Sequence, residues 1–341
     1  MARSTAPQYT VLRGPGLVDA AELQRLAKAS NREVLAAVCF GTAPDTMPLP
    51  WLTVRLPNVQ LVDGVAAEIW PAAAPVERLA LPGIAAAADG ASLFATLVVP
   101  GIDGATLEEA TLDAYERLLL GVRRAGYPYL VRMWNFVPGI NDGSGNLERY
   151  KLFCRGRSDA LRAHAGGAFP QALPAASAVG CTGNDLLIQA LAARKPGQSV
   201  ENPRQISAYR YPERYGPKSP AFARGMKAPP PWEGALFVSG TASIAGHESR
   251  HPGDPAAQAC ETLTNIEAVL DAGTSFGTGA PLGARIHALR VYVRHRRDLP
   301  ALRDSLDRRL ERAVPTVWLQ ADICRAELLV EIEATVLAPP P

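Results

Sequence analysis

Apolar positions along this chain follow two different periods. Between residues 255 and 270 they recur at Ala259, Leu263, Ile266 and Leu270, which is one face of a helix. Asp254 just before is a good N-cap, Pro255 suits the first helical position, and Gly273 is a stop signal. Residues 300–312 read as a second, more charged amphipathic helix, again with Pro at its start. Residues 328–336 alternate instead: Leu328, Val330, Ile332 and Ala334 share one face, and Leu329, Glu331, Glu333 and Thr335 the other. That pattern predicts a half-buried strand with two carboxylates on its less apolar face.

An earlier stretch shows the same succession. Leu93-Phe94 and Leu236-Phe237 each open an apolar, strand-like run. Ala114-x-Glu116-x-Leu118 lies on a helix ending at Ala125-Gly126, and Ala259-x-Glu261-x-Leu263 on one ending at Ala272-Gly273. Val131-Arg132-Met133-Trp134 parallels Leu289-Arg290-Val291-Tyr292, and residues 185–189 parallel residues 327–331. Four matches in one order imply a duplication. Each half reads as strand, helix, strand, helix, strand, which is an α+β layer architecture. Residues 195–233, rich in Pro, Tyr, Arg and Gly and without apolar periodicity, read as a boundary or a large loop. The division is then residues 1–195 and 196–341, the first half carrying an additional N-terminal segment with little recognisable signal.

Composition narrows the function. The 341 residues are 48% apolar and 20% charged, which excludes a disordered chain, a collagen and a coiled coil. The 35 basic and 33 acidic side chains leave a net charge of +2, so no broad basic field exists for nucleic acid or an anionic membrane. A bound anion must be held by a few local Arg and Lys residues. The most apolar stretch, residues 83–99, is broken by Asp89 and two glycines and closed by Pro100, too short for a membrane span. Residues 1–7 lead into no apolar run of signal-peptide type. Five cysteines without CxxC spacing argue for a reducing compartment, hence a cytosolic protein.

The chemistry-bearing motifs differ in weight. His247-Glu248-Ser249-Arg250-His251 spells the zinc-protease signature, but Gly246 precedes it and Pro252-Gly253 follows, so a loop is expected and no metal site. Asp142-Gly143-Ser144-Gly145 lacks the rest of a phosphate loop and reads as a turn. Two Arg/Tyr clusters carry more: residues 149–157, with Arg149, Tyr150, Arg155 and Arg157, and residues 209–225, with Tyr209, Tyr211, Arg214, Tyr215 and Arg224. Arg pairs bidentately with carboxylates and Tyr offers a hydroxyl on a flat wall, a set suited to a small dianion with a flat ring. A solvated loop with surface tyrosines would look the same. The repeat is also asymmetric, with Gln189 in the first half where the second has Glu331, and Cys324 just before that strand.

These residues carry a resemblance. The second half, from Val238-Ser239-Gly240 through the helix with Asn265-Ile266-Glu267 to Val330-Glu331-Ile332-Glu333-Ala334, resembles the YjgF-like enamine/imine deaminase fold. Residues 209–225, with Arg149-Tyr150 and Cys154-Arg155-Gly156-Arg157, resemble the chorismatases. The resemblance implies two YjgF-like (chorismate-mutase-like) α/β sandwich units fused in one chain, acting as a monomer that is an internal pseudo-oligomer. It implies cleavage of chorismate to pyruvate and 3-hydroxybenzoate, with the 4-isomer as a second product in some members. Neither cofactor nor metal is implied, because an enol ether needs only a proton. Glu331 is the implied general acid, ahead of Glu333, and Cys324 the mark of the aromatic-forming branch. Tyr150, Arg157, Tyr211 and Arg224 are implied substrate holders, and Gly240 and Thr241 pocket-wall positions. The rival readings are a chorismate hydrolase, which yields a dihydroxycyclohexadiene carboxylate, and a deaminase-like or binding protein of the YjgF type.

Overall fold

The computed structural model describes residues 10–14, 33–41, 51–56, 60–62, 65–104, 106–273 and 280–337, and only the backbone of 10–14, 61, 65 and 66. The N-terminal residues 1–7 discussed above lie outside the described residues.

Three sheets organise the chain. The first has strands Thr10–Gly14 (β1), Val34–Phe40 (β2), Leu52–Leu56 (β3) and Val65–Pro71 (β5), in the order β1-β5-β2-β3. The second has Glu77–Leu81 (β6), Ile84–Ala88 (β7), Ser92–Val99 (β8), Tyr129–Pro138 (β9), Ala175–Cys181 (β10) and Leu186–Ala193 (β11), ordered β10-β9-β11-β8-β7-β6. Helix Leu107–Arg124 (α1) joins β8 to β9, and Arg149–Ala165 (α2) lies between the parallel pair β9 and β10. Parallel neighbours need such a crossover.

The third sheet consists of Gln198–Val200 (β12), Gly225–Lys227 (β13), Leu236–Ala242 (β14), Ala288–Val293 (β17), Thr316–Gln320 (β18) and Val330–Val336 (β19), with Gln60–Leu61 (β4) on its edge. Its order is β12-β13-β14-β19-β17-β18-β4, and apart from the added edge strand β4 its six strands match the six of the second sheet, including the parallel pair β17 and β18. Helix Pro255–Gly273 (α3) corresponds to α1 and Leu299–Leu310 (α5) to α2, with a short turn of helix, Leu282–Arg285 (α4), between them. The Asp254 cap forms as expected, the Ala257 N–H donating to Asp254 Oδ1 at 3.0 Å. The α+β class anticipated from the pattern is the one found. The four-stranded sheet shows the order once more, since β1-β5-β2-β3 overlays β8-β11-β9-β10 with the same sense of pairing.

Among the described residues, helices cover only the outer face of each large sheet, where α1 and α2 close one apolar core and α3 and α5 another. The inner faces of all three sheets meet in a third core. Trp70 from the first sheet lies 5.4 Å from Trp134 of the second, and 5.7 Å from Trp232, which precedes β14. This arrangement changes one expectation. Strand β19 starts at Val330 rather than residue 328 and is buried on both faces, because its carboxylate face packs against the other sheets instead of solvent.

Residues 195–233 also depart from a simple boundary. Their ends form β12 and β13, and the loop between them crosses to the second sheet, where the Ala223 N–H donates to Pro174 O at 2.9 Å. The segment joins the halves physically. Residues 247–251 are not helical: Ile244–Ala245 (β15) and Glu248–Ser249 (β16) make a hairpin, and His251 has a left-handed φ of 55°. The two histidines therefore share no helix face.

Candidate active site

Between the second and third sheets lies a cavity of about 360 Å³, within the range of small-molecule sites. Glu331, Cys324, Tyr150, Arg157, Tyr211, Arg224 and Gly240 all line it. Thr241 does not; it is buried, with its hydroxyl donating to Ser239 O at 2.8 Å.

Glu331 is paired in the ladder with Ala242 of β14 and Tyr292 of β17. Burial pushes its carboxyl up to about 8, and the negative charge of Glu333 adds to this. Arg132 and Arg224 pull the other way without cancelling it. Room for the carboxyl comes from β14. The β14–β19 register breaks between Val238 and Thr241, and Gly240 occupies the break. A Cβ on Gly240 would collide with Glu331 Oε1, so a larger residue here would displace the carboxyl from its present position. The Gly240 N–H donates to Ser177 Oγ at 2.9 Å, which ties the bulge to β10.

Glu333, two residues on and on the same face, has the opposite character. Burial would raise its carboxyl too, but Arg132 and Arg290, with hydrogen bonds from Ser177 and Trp134, hold it below the usual carboxylate range. Arg132 Nη2 lies 2.9 Å from Glu333 Oε2, Trp134 Nε1 donates to the same oxygen at 2.9 Å, and the Tyr292 hydroxyl donates to Oε1 at 3.0 Å. Arg290 in turn pairs with the buried Glu68 of β5. A relay of charge thus crosses all three sheets. Two carboxyls whose surroundings push them apart in acidity mark an acid beside a fixed anion.

The walls supply cations. Arg157 projects from α2 and is 2% exposed, with Nε and Nη2 lacking any hydrogen-bond partner. It is framed instead by the rings of Tyr115, Phe153 and Phe222, about 6 Å away. A buried guanidinium with unpartnered donors on the wall of a cavity has the chemistry to pair with an anion. Arg224 is anchored by Nη2 donating to Tyr211 Oη at 2.7 Å and Ile206 O at 3.1 Å, and its Nε is free. Cys324 lies in the loop before β19. Burial, with Glu331 nearby, pushes its thiol up to about 12, so it is a neutral thiol and not a nucleophilic thiolate.

Some contributors were not singled out from the sequence. Ser177, Arg325 and Asn141 also line the cavity, and Arg132 and Arg290 set the state of Glu333. The two arginines stand at matched places in the repeat, Val131-Arg132 against Leu289-Arg290, and that coincidence was the signal available for them.

Comparison with known proteins gives the family of the chain. Residues 68–192 match the family model described as chorismatase FkbO/Hyg5-like, N-terminal. A 3-hydroxybenzoate synthase of Streptomyces hygroscopicus is 40% identical over 280 residues, covering 80% of this chain and 81% of that protein. A chorismatase of Streptomyces rapamycinicus is 40% identical over 277 residues, 79% of this chain and 82% of its own. A chorismatase crystal structure superposes with a TM-score of 0.82 at 34% identity, covering 98% of this chain and 99% of that one. These likenesses establish that the chain belongs to the chorismatase family.

Proposed function

We propose that this protein cleaves chorismate to pyruvate and 3-hydroxybenzoate, with Glu331 as the general acid. The observation that carries the reading is the Glu331 carboxyl, buried against the cavity and protonated up to a pH of about 8. A carboxylic acid that keeps its proton near neutrality can deliver it to carbon. Glu331 protonates the terminal methylene of the enolpyruvyl group, leaving an oxocarbenium ion. The ether bond to the ring breaks, its electron pair forming the ketone of pyruvate. The neighbouring ring hydroxyl bonds to the carbon left behind and returns its proton to Glu331. The resulting arene-oxide-like ring opens and loses a ring proton to give the aromatic acid. Substrate and products balance without water.

The remaining residues have supporting parts. Arg157 and Arg224 hold the two carboxylates, while Tyr150 and Tyr211 wall the ring. Glu333 stays ionised and keeps Glu331 protonated. Gly240 makes room for the acid, Thr241 backs the bulge, and Cys324 fills the space from which water would attack the ring. The chain works as a cytoplasmic monomer with halves 1–195 and 196–341, the four-stranded sheet being a third, reduced copy of the same unit. Incubating the purified protein with chorismate and separating the products tests the reading. Equal amounts of pyruvate and 3-hydroxybenzoate are expected. A dihydroxycyclohexadiene acid as the sole ring product would replace the aromatic branch with hydrolysis, and absence of pyruvate would overturn cleavage altogether.

A further inference from the structure

The loop between β18 and β19 carries Cys324 and Arg325 to the cavity, yet it has no regular structure of its own. Gln258 holds its far end, through Glu327 O at 2.9 Å and the Leu329 N–H at 2.7 Å, and Arg294 grips the part around Cys324. Arg294, directly after β17, is 8% exposed and does not line the cavity. All five of its N–H donors are used, and every acceptor is on this loop or beside it. Nε donates to Leu328 O at 2.7 Å. Nη1 donates to Asn141 Oδ1 at 3.0 Å and to Asp322 Oδ1 at 2.6 Å. Nη2 donates to Ile323 O at 3.0 Å and Arg325 O at 2.9 Å, the two carbonyls on either side of Cys324. The second sheet adds to the grip: Asn141 Nδ2 donates to Ile323 O at 3.1 Å and the Gly180 N–H to Asp322 O at 2.7 Å.

Such a planar fork constrains both peptide groups around one residue at once, which an ammonium with three rotatable donors cannot do. We propose that Arg294 is the positioning residue that sets Cys324 against the substrate ring and thereby selects the aromatic product. The proposal rests on the reading of Cys324 given above. Arg294 lies off the cavity lining and makes no bond to Glu331, so its loss alters where the thiol stands, not whether the proton is delivered.

The test compares wild type with Arg294→Lys, Asp322→Asn and Cys324→Ala. Two quantities are read: the split between hydroxybenzoate and dihydroxycyclohexadiene acid, and the rate of N-ethylmaleimide addition to Cys324, located by peptide mass spectrometry with Cys260 of α3 as internal reference. Arg294→Lys should raise Cys324 alkylation about tenfold, as expected for losing charge-assisted hydrogen bonds, and leave Cys260 unchanged. It should divert part of the product to the diene acid while pyruvate release stays within about threefold of wild type. Asp322→Asn removes the charge of one exposed acceptor and should act in the same direction more weakly, which keeps the question open to measurement should Arg294→Lys fail to fold. Unchanged alkylation and unchanged products in both variants would overturn the proposal. Faster alkylation with a wholly aromatic product would overturn its second half, leaving Arg294 as a mere loop anchor. A product shift in Cys324→Ala but not in the Arg294 and Asp322 variants would remove Arg294 alone, whereas no shift in Cys324→Ala would remove the role of Cys324 itself.

Discussion

The second and third sheets share strand order and helix placement, and they differ most at one position. Gln189 of β11 stands beside Trp134, as Glu331 of β19 stands beside Tyr292. Gln189 is fully buried with neither amide atom hydrogen-bonded, whereas Glu331 opens on the cavity. The cause lies on the neighbouring strand. The ladder between β8 and β11 runs without a shift from Leu186 to Ala193, while that between β14 and β19 breaks at Gly240. An acid alone does not make the site. A bulge beside it, and a face opposite that carries Arg157 and Ser177, are needed as well.

The sharpest way to break this comparison is to give the third sheet the amide of the second. Glu331→Gln should lower pyruvate release by about 10²–10⁴-fold, since an amide of the same size cannot donate the proton. Circular dichroism and thermal melting should stay close to wild type, because Gln189 shows that an amide is accommodated at the matching place. Near-normal turnover would assign the acid elsewhere.

Glu333→Gln should damage stability more than chemistry. It leaves Arg132 and Arg290 facing each other without their shared anion, and removing one partner of such a buried pair costs about 3–5 kcal/mol. Urea titration measures this. The same change alters the pH profile in a defined direction. In the wild type, kcat should fall about tenfold per unit as pH rises beyond about 8, where Glu331 loses its proton. Without the negative charge of Glu333, Glu331 ionises more readily, so the break should move to lower pH. A break that stays in place would separate the two carboxyls.

A smaller effect is expected from Arg157→Lys on the opposite wall. A point charge replaces the planar fork whose Nε and Nη2 have no other partner, and KM for chorismate should rise about tenfold or more. Steady-state kinetics decide it: an unchanged KM would mean that the substrate carboxylates are held elsewhere.

Local signals carried the sequence reading a long way. Asp254-Pro255 and Gly273 bound α3, and the alternation around Glu331 set its strand. The mismatch of Gln189 and Glu331 drew attention to that position, and the family resemblance implied its role as the acid. What local signals could not show is which faces meet. The alternation suggested a strand half open to water, because nothing in residues 328–336 reports the sheets that pack on the carboxylate side. The run Val34–Phe40 is apolar at every position and fully buried, so it has no period to read. The pairing of Glu68 with Arg290 spans 222 residues, and the hold of Arg294 on the Cys324 loop depends on carbonyls, which no side-chain pattern reveals.

The charge relay across the three sheets also constrains the order of events during synthesis. Glu68 leaves the ribosome 222 residues before its partner Arg290, an interval of roughly 10–45 s at ordinary rates of translation. A fully buried carboxylate without its partner takes up a proton or stays hydrated, so Glu68 gains its buried ionised form only with Arg290 in place. Removing Glu68 would leave Glu333 as the remaining carboxylate partner of Arg290, so a change more than 260 residues away in sequence reaches the field around the Glu331 proton.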